Sequence, residues 1–259
     1  MFIPKTDRIR ELKEKYPHRI SELERIFDKP TNIYIDFANV RRWQEKLGWH
    51  IDLKRLKQLL NSFDVVQDVK FYYGTLIGDI RSENVIKEAR DYKYSVVTKA
   101  VKIMKLNIDI SSIPLDSPEM LKQFVHPSLL QKLNIETIKF LNSRLKELNQ
   151  QGIMYLEDLK CNFDVEIGRD MLIDYAENKA NSFVLWSGDS DFANPIKQLL
   201  DDDRKVILFA TTRRVSAELN NLKNNGLFIF DIQKIKEFIC WPREIKRHIM
   251  QKGLNCLSP

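Results

Sequence analysis

Apolar residues recur near helical spacing through residues 5–28 (Ile9, Leu12, Ile20, Leu23, Ile26, Phe27), with charges between them. This period predicts a helix that breaks or restarts at Pro17. Lys29-Pro30-Thr31-Asn32 reads as a turn. The run Ile33-Tyr34-Ile35 is β-branched and aromatic, and it ends at Asp36. It predicts a buried first strand. Residues 52–63 form an amphipathic helical pattern. Val69 to Gly74 reads as a second strand, residues 80–92 as a helix and 94–98 as a third strand. The rhythm fails over residues 103–160, which Pro114, Pro118 and Pro127 punctuate. One strong helical period stands at about 135–150, closing near Gly152. It then resumes with a helix at 163–180, a strand at 183–186, a helix at 191–201 and a strand at 206–210. A short helix at 217–223, a strand at 227–230 and a helix at 232–240 complete it.

Nearly continuous apolar strands alternating with helices imply an α/β fold of three layers, α/β/α, around a mainly parallel central sheet. The pattern divides the chain into an N-terminal helical extension (1–30), the α/β domain (31–240) and a basic tail (241–259). A helical, partly looped insertion interrupts the α/β domain at about 103–157. In such sheets ligands bind at the carboxyl ends of the strands.

Carboxylates stand at those ends. Asp36 follows the first strand, and Asp189 and Asp191 follow the strand at 183–186. Asp164 opens a helix that can bring it to the same crevice, whereas Glu166 points elsewhere on that helix and Asp170 and Asp174 share a face. Gathered carboxylates repel one another, and burial raises the cost. A hard divalent cation such as Mg²⁺ or Mn²⁺ resolves the conflict and would activate water and steady a phosphodiester in transit. Each aspartate taken alone also reads as a helix cap. Asn39, Ser187 and Ser190 are placed to orient a water or meet a phosphate, or to serve as turn and cap residues.

The segments Tyr34-Ile35-Asp36-Phe37-Ala38-Asn39-Val40, Phe163-Asp164-Val165 and Ser187-Gly188-Asp189-Ser190-Asp191-Phe192 resemble the three signatures of NYN domains, in the PIN-like nuclease superfamily, with the LabA-like branch closest in pattern. The resemblance covers about 32–102 and 158–239. It implies a Mg²⁺- or Mn²⁺-dependent endoribonuclease with water as nucleophile. Asp36, Asp164 and Asp189 would be metal ligands, with Asp191 at the site's edge, Asn39 supporting Asp36, and Asp170 a further helix acid. The chain departs from the family pattern before Asp164 (Lys160-Cys161-Asn162-Phe163) and at Asn225-Gly226-Leu227.

Net charge is +6, which favours polyanionic partners only weakly. Its placement adds more. Arg41, Arg42 and Trp43 follow the first aspartate, and Arg213 and Arg214 follow the strand at 206–210. Lys99, Lys102 and Lys105 follow the third strand. These basic side chains would hold phosphates, the arginines ahead of the lysines, and Trp43 would stack on an unpaired base; the alternative is a solvated surface with Trp43 in the core. The expected partner is RNA, single-stranded or structured, ahead of DNA, and the helices at 5–28 and 135–150 are candidate homodimer faces. The four histidines lie outside the acidic motifs, and no phosphate-cradling glycine loop is present. Three cysteines without a Cys-x-x-Cys pair argue against disulfides and structural zinc. No stretch approaches a membrane span and the charged start is unlike a signal peptide, so a cytoplasmic protein is expected. Competing readings are an RNA-binding regulator or scaffold on the same fold, a topoisomerase–primase-type Asp-x-Asp site, and an aspartyl phosphatase. The last lacks its second aspartate, since Ala38 stands there.

Overall fold

The computed structural model describes residues 1–48, 50–211 and 215–241. Arg213, Arg214 and the tail beyond Trp241 lie outside the described residues. The helices are α1 (Asp7–Lys15), α2 (Pro17–Ile26), α3 (Phe37–Leu47), α4 (Leu53–Leu60), α5 (Ile80–Asp91), α6 (Pro127–Leu130), α7 (Ile135–Gln150), α8 (Asp164–Ala176), α9 (Ala193–Asp201), α10 (Ala217–Asn221) and α11 (Lys236–Ile239). The strands are β1 (Thr31–Asp36), β2 (His50–Ile51), β3 (Val66–Tyr72), β4 (Ser95–Val97), β5 (Lys102–Asn107), β6 (Tyr155–Lys160), β7 (Ser182–Trp186), β8 (Lys205–Ala210), β9 (Phe228–Asp231) and β10 (Cys240–Trp241). Pro17 occupies the first turn of α2, where its missing N–H is harmless, so it restarts the helix.

Two compact units emerge: Met1–Ala100 with Asn162–Pro259, and Val101–Cys161. The first is an α/β unit whose central sheet has six parallel strands in the order β4-β3-β1-β7-β8-β9, flanked by helices. β1 and β7 are buried along their whole length, as the apolar runs at 33–35 and 183–186 within them require. From β1 the chain builds outward on one side through β3 and β4, then returns to build β7, β8 and β9 on the other. The order therefore reverses between β1 and β7, and there the carboxyl ends open a crevice.

Side chains alternate across this sheet. Ile33, Ile35 and Phe71 face one layer, where Phe71 meets Phe37 and Tyr94 at ring distances of 4.8 and 5.5 Å. Asn32, Tyr34 and Lys70 face α8. There Asp174 accepts hydrogen bonds on one carboxylate oxygen from Asn32 Nδ2 (3.0 Å), the Tyr34 hydroxyl (2.7 Å) and Lys70 Nζ (2.7 Å). Tyr72 donates to Asp170 at 2.9 Å. The face shared by Asp170 and Asp174 thus binds α8 to β1 and β3.

The second unit carries α6 and α7, and also an antiparallel hairpin of β5 and β6 that the helix-and-loop expectation lacked. Lys102 and Lys105 are strand residues of this hairpin. The α7 asparagines tie down the surrounding loops. Asn142 donates to Leu115 O and Ser117 O, and Asn149 bonds the backbone of Ile108, Ile110 and Ile153. Among the described residues no helix is long and apolar enough to cross a membrane.

Candidate metal and nucleic-acid site

Asp36 ends the central strand and is the N-cap of α3, its Oδ1 accepting from Asn39 N at 3.3 Å. The Asn39 side chain donates to Asp36 Oδ2 (2.8 Å) and to Ser187 Oγ (3.1 Å). Ser187 also accepts from Asp189 N at 3.3 Å. One amide thus joins the ends of β1 and β7 across the crevice. Asp189 caps a single 3₁₀ turn, Ser190–Phe192, by accepting from Asp191 N at 3.3 Å. Asp164 is the first residue of α8, and its backbone N–H is held by the Asn162 side chain at 2.7 Å. Asn162 has a sequence signal that residue-type reading passed over: an asparagine two positions before a helix start is an Asx motif.

The electrostatics follow from this crowding. Burial raises the Asp36 carboxyl above the usual range, and the charge of Asp189 adds to it, against the hydrogen bonds from Asn39 and Ser187. Burial likewise lifts Asp164 to about 6, with Asp189 and Asp191 reinforcing the rise against the hydrogen bond from Asn162. Asp189 is therefore the electrostatic neighbour of both, and the acids form a row rather than a closed cage. Among the described residues no three His, Cys, Asp or Glu side chains are placed together so as to hold a metal ion. The hydrogen bonds explain the spacing: Asp36 is turned onto Asn39, and Asp189 onto the backbone of Asp191. The donors are all carboxylate oxygens, two with raised pKa, and this chemistry suits a hard divalent cation.

The row has a depression on each flank. One, of about 360 Å³, is lined by Asn39, Arg42, Asp189, Ser190 and Ser216. The other, of about 720 Å³, is lined by Lys99, Asp164, Glu166 and Asp191 with an apolar side of Val165 and Leu172. Arg42 and Ser190 thus stand where a phosphate could reach them.

Three residues of the expected interface have other surroundings in the structure. Trp43 is only 2% exposed, so its ring offers no free face for a base. It belongs to the buried stripe Phe37, Val40, Trp43, whose three-residue spacing on α3 was the available signal. Ser187 is fully buried and acts as the pin between Asn39 and Asp189, not as a phosphate contact. Arg41 lies about 100° around the helix from Arg42. It donates to the Tyr73 hydroxyl at 2.6 Å and lines a separate cavity with Gln44, His50 and Glu88. Arg213 and Arg214 fall outside the described residues.

No curated protein matches the chain. Among solved structures, the crystal structure of a Vibrio parahaemolyticus protein described as of unknown function is similar to it. Identity is 14%, over 82% of this chain and 96% of that one, with a TM-score of 0.49. The NYN domain family model matches residues 115–230, a span that holds Asp164, Asp189 and Asp191 and begins after β1 and Asp36.

Proposed function

We propose that the chain is a metal-dependent endoribonuclease of the PIN-like superfamily, with a LabA-like motif pattern, that hydrolyses RNA phosphodiester bonds at the crevice between β1 and β7. The observation that supports it most is the row Asp36, Asp189, Asp191 and Asp164. Carboxylates from three separate segments lie within electrostatic reach of one another where the strand order reverses, and two of them are held above their usual pKa. Asp36, Asp189 and Asp164 would hold Mg²⁺ or Mn²⁺, with Asp191 at the edge. The bound ion would polarise the phosphoryl oxygens and lower the pKa of water. The protein's own part is positional. Asn39 fixes the Asp36 carboxylate and, through Ser187, sets it relative to the β7 end. Arg42 and Ser190 meet a backbone phosphate on the Asp189 flank.

A second reading, an RNA-binding regulator with little catalysis, is favoured by one observation: among the described residues no three acids stand as a ready cage. The separating experiment is cleavage of labelled single-stranded and hairpin RNA, with parallel DNA, in Mg²⁺, Mn²⁺ and EDTA, by the wild type and Asp36→Asn. Metal-dependent cutting of RNA that the substitution abolishes is the expected result. Tight, salt-sensitive binding without cutting would move the assignment to the regulator. Cutting that survives Asp36→Asn would remove the site.

A further inference from the structure

The flank of the carboxylate row opposite Arg42 carries a lysine whose pairing is hard to explain as a structural strap. Lys99 follows β4, and its backbone is already secured: Thr75 N donates to Lys99 O at 3.0 Å, and Thr75 bridges Ala100 in parallel register. The side chain is not needed to hold the chain there. It nevertheless runs over the buried ring of Phe163, with Nζ 4.7 Å from the centroid, and ends 2.6 Å from Glu166 Oε1. Glu166 Oε2 is buried without a hydrogen-bond partner, so the pair is half satisfied. The Lys99 side chain keeps 39% exposure, so the ammonium reaches the surface of the depression that Asp164 and Asp191 line.

Charge decides what such a lysine can do. The depression has three carboxylates (Asp164, Glu166, Asp191) and Lys99 as the one cation among its lining residues. Without Lys99, a phosphodiester entering beside Asp164 and Asp191 meets only like charge. With it, the phosphate can replace Glu166 as the partner of an ammonium already led to the surface by Phe163. The pair is only part-buried, so exchanging its carboxylate for a phosphate costs less than the about 3–5 kcal/mol of breaking a fully buried pair. The apolar side formed by Val165 and Leu172 gives the adjoining sugar or base a dry surface.

We propose that Lys99 binds a backbone phosphate of the nucleic acid on the Asp164–Asp191 flank, so that the strand crosses the carboxylates between Arg42 on one side and Lys99 on the other. This rests on the nucleic-acid reading above but not on cleavage. The test is binding of a labelled single-stranded oligoribonucleotide in EDTA across a KCl series, by the wild type, Lys99→Met, Lys99→Arg and Glu166→Gln, with thermal melting of each. Loss of one phosphate contact lowers the slope of log K against log salt by about 0.7, which is about fivefold in affinity near 0.1 M salt. Lys99→Met should show both, at unchanged melting temperature. Lys99→Arg should retain binding, and Glu166→Gln should bind at least as tightly as wild type. A wild-type slope in Lys99→Met overturns the proposal, as do equal losses of binding and melting temperature in Lys99→Met and Glu166→Gln, the mark of a strap. Binding that depends on Lys99 without cutting in Mn²⁺ would sink the nuclease and keep the phosphate site. Cutting with a slope indifferent to Lys99 would do the reverse.

Discussion

Replacing Asp174 with alanine removes the acceptor of three hydrogen bonds in the layer between α8 and the sheet. The side chain is 2% exposed, and Asn32, Tyr34 and Lys70 all donate to one of its oxygens. Deleting one partner of a buried ion pair costs about 3–5 kcal/mol, because the remaining charge is left unpaired. Lys70 keeps 18% exposure and can draw in water, which places the expected loss near the lower end, about 3 kcal/mol. With an m-value of about 3 kcal/mol/M, the urea midpoint should fall by about 1 M. The pH dependence gives a second readout. Burial alone would raise the Asp174 carboxyl, but the bonds from Lys70 and Tyr34, and the Lys70 charge, outweigh it and hold it below the usual range. A depressed carboxyl contributes stability that is complete above its unfolded value, about 4, and lost as pH falls through the lower folded value. The acid limb of the stability profile should therefore be flatter in Asp174→Ala. Urea unfolding of both proteins across the acid range measures both effects. A loss under about 1 kcal/mol at unchanged m would refute the reasoning, since the charge would then not be buried against Lys70.

Two further outcomes concern the site. Asp164 has its carboxyl raised to about 6, so its contribution is favourable below the unfolded value and is lost as pH rises through about 6. In metal-free buffer Asp164→Asn should melt higher than wild type near neutral pH and lose that advantage near pH 4; the same difference at both pH values would contradict the assignment. Asn39→Ala frees the Asp36 carboxylate and cuts its link to Ser187. Loss of such a supporting partner typically costs about 10–100-fold in activity or metal affinity. Mn²⁺ titration and cleavage rates should fall together, while the circular dichroism spectrum stays that of the wild type.

The parts of the fold legible in the sequence are those whose burial writes a strong pattern. The cores of β1 and β7 are apolar runs because both faces are covered, and Asp36, which ends β1, and Asp189, the first charge after β7, stand out against them. α3 escaped notice because it starts directly at Asp36, with no turn residues between strand and helix. Its stripe decides between the two readings of Trp43 in favour of the core. The neighbours Arg41 and Arg42 look equivalent in a linear reading, yet the helical rotation sends one to Tyr73 and the other to the depression that Asp189 lines. β5 and β6 were not legible because nearly every residue in them is exposed. No face is buried enough to impose alternation, and each strand's partner lies far along the chain.

That hairpin has a consequence for how the chain folds. Lys102 stands opposite Lys160, so the inserted segment brings its own two ends together. Closing a flexible loop of about sixty residues costs on the order of 3–4 kcal/mol in chain entropy. A floppy insertion would charge that cost to the association of the parallel strands on either side of it in sequence. Here the six cross-strand pairs and the asparagine anchors of α7 absorb it within the segment itself. For the parallel sheet, the long excursion between β4 and α8 then acts as a short connection. Variation in the length of the segment can therefore accumulate beyond the hairpin without slowing assembly of the sheet that carries Asp36.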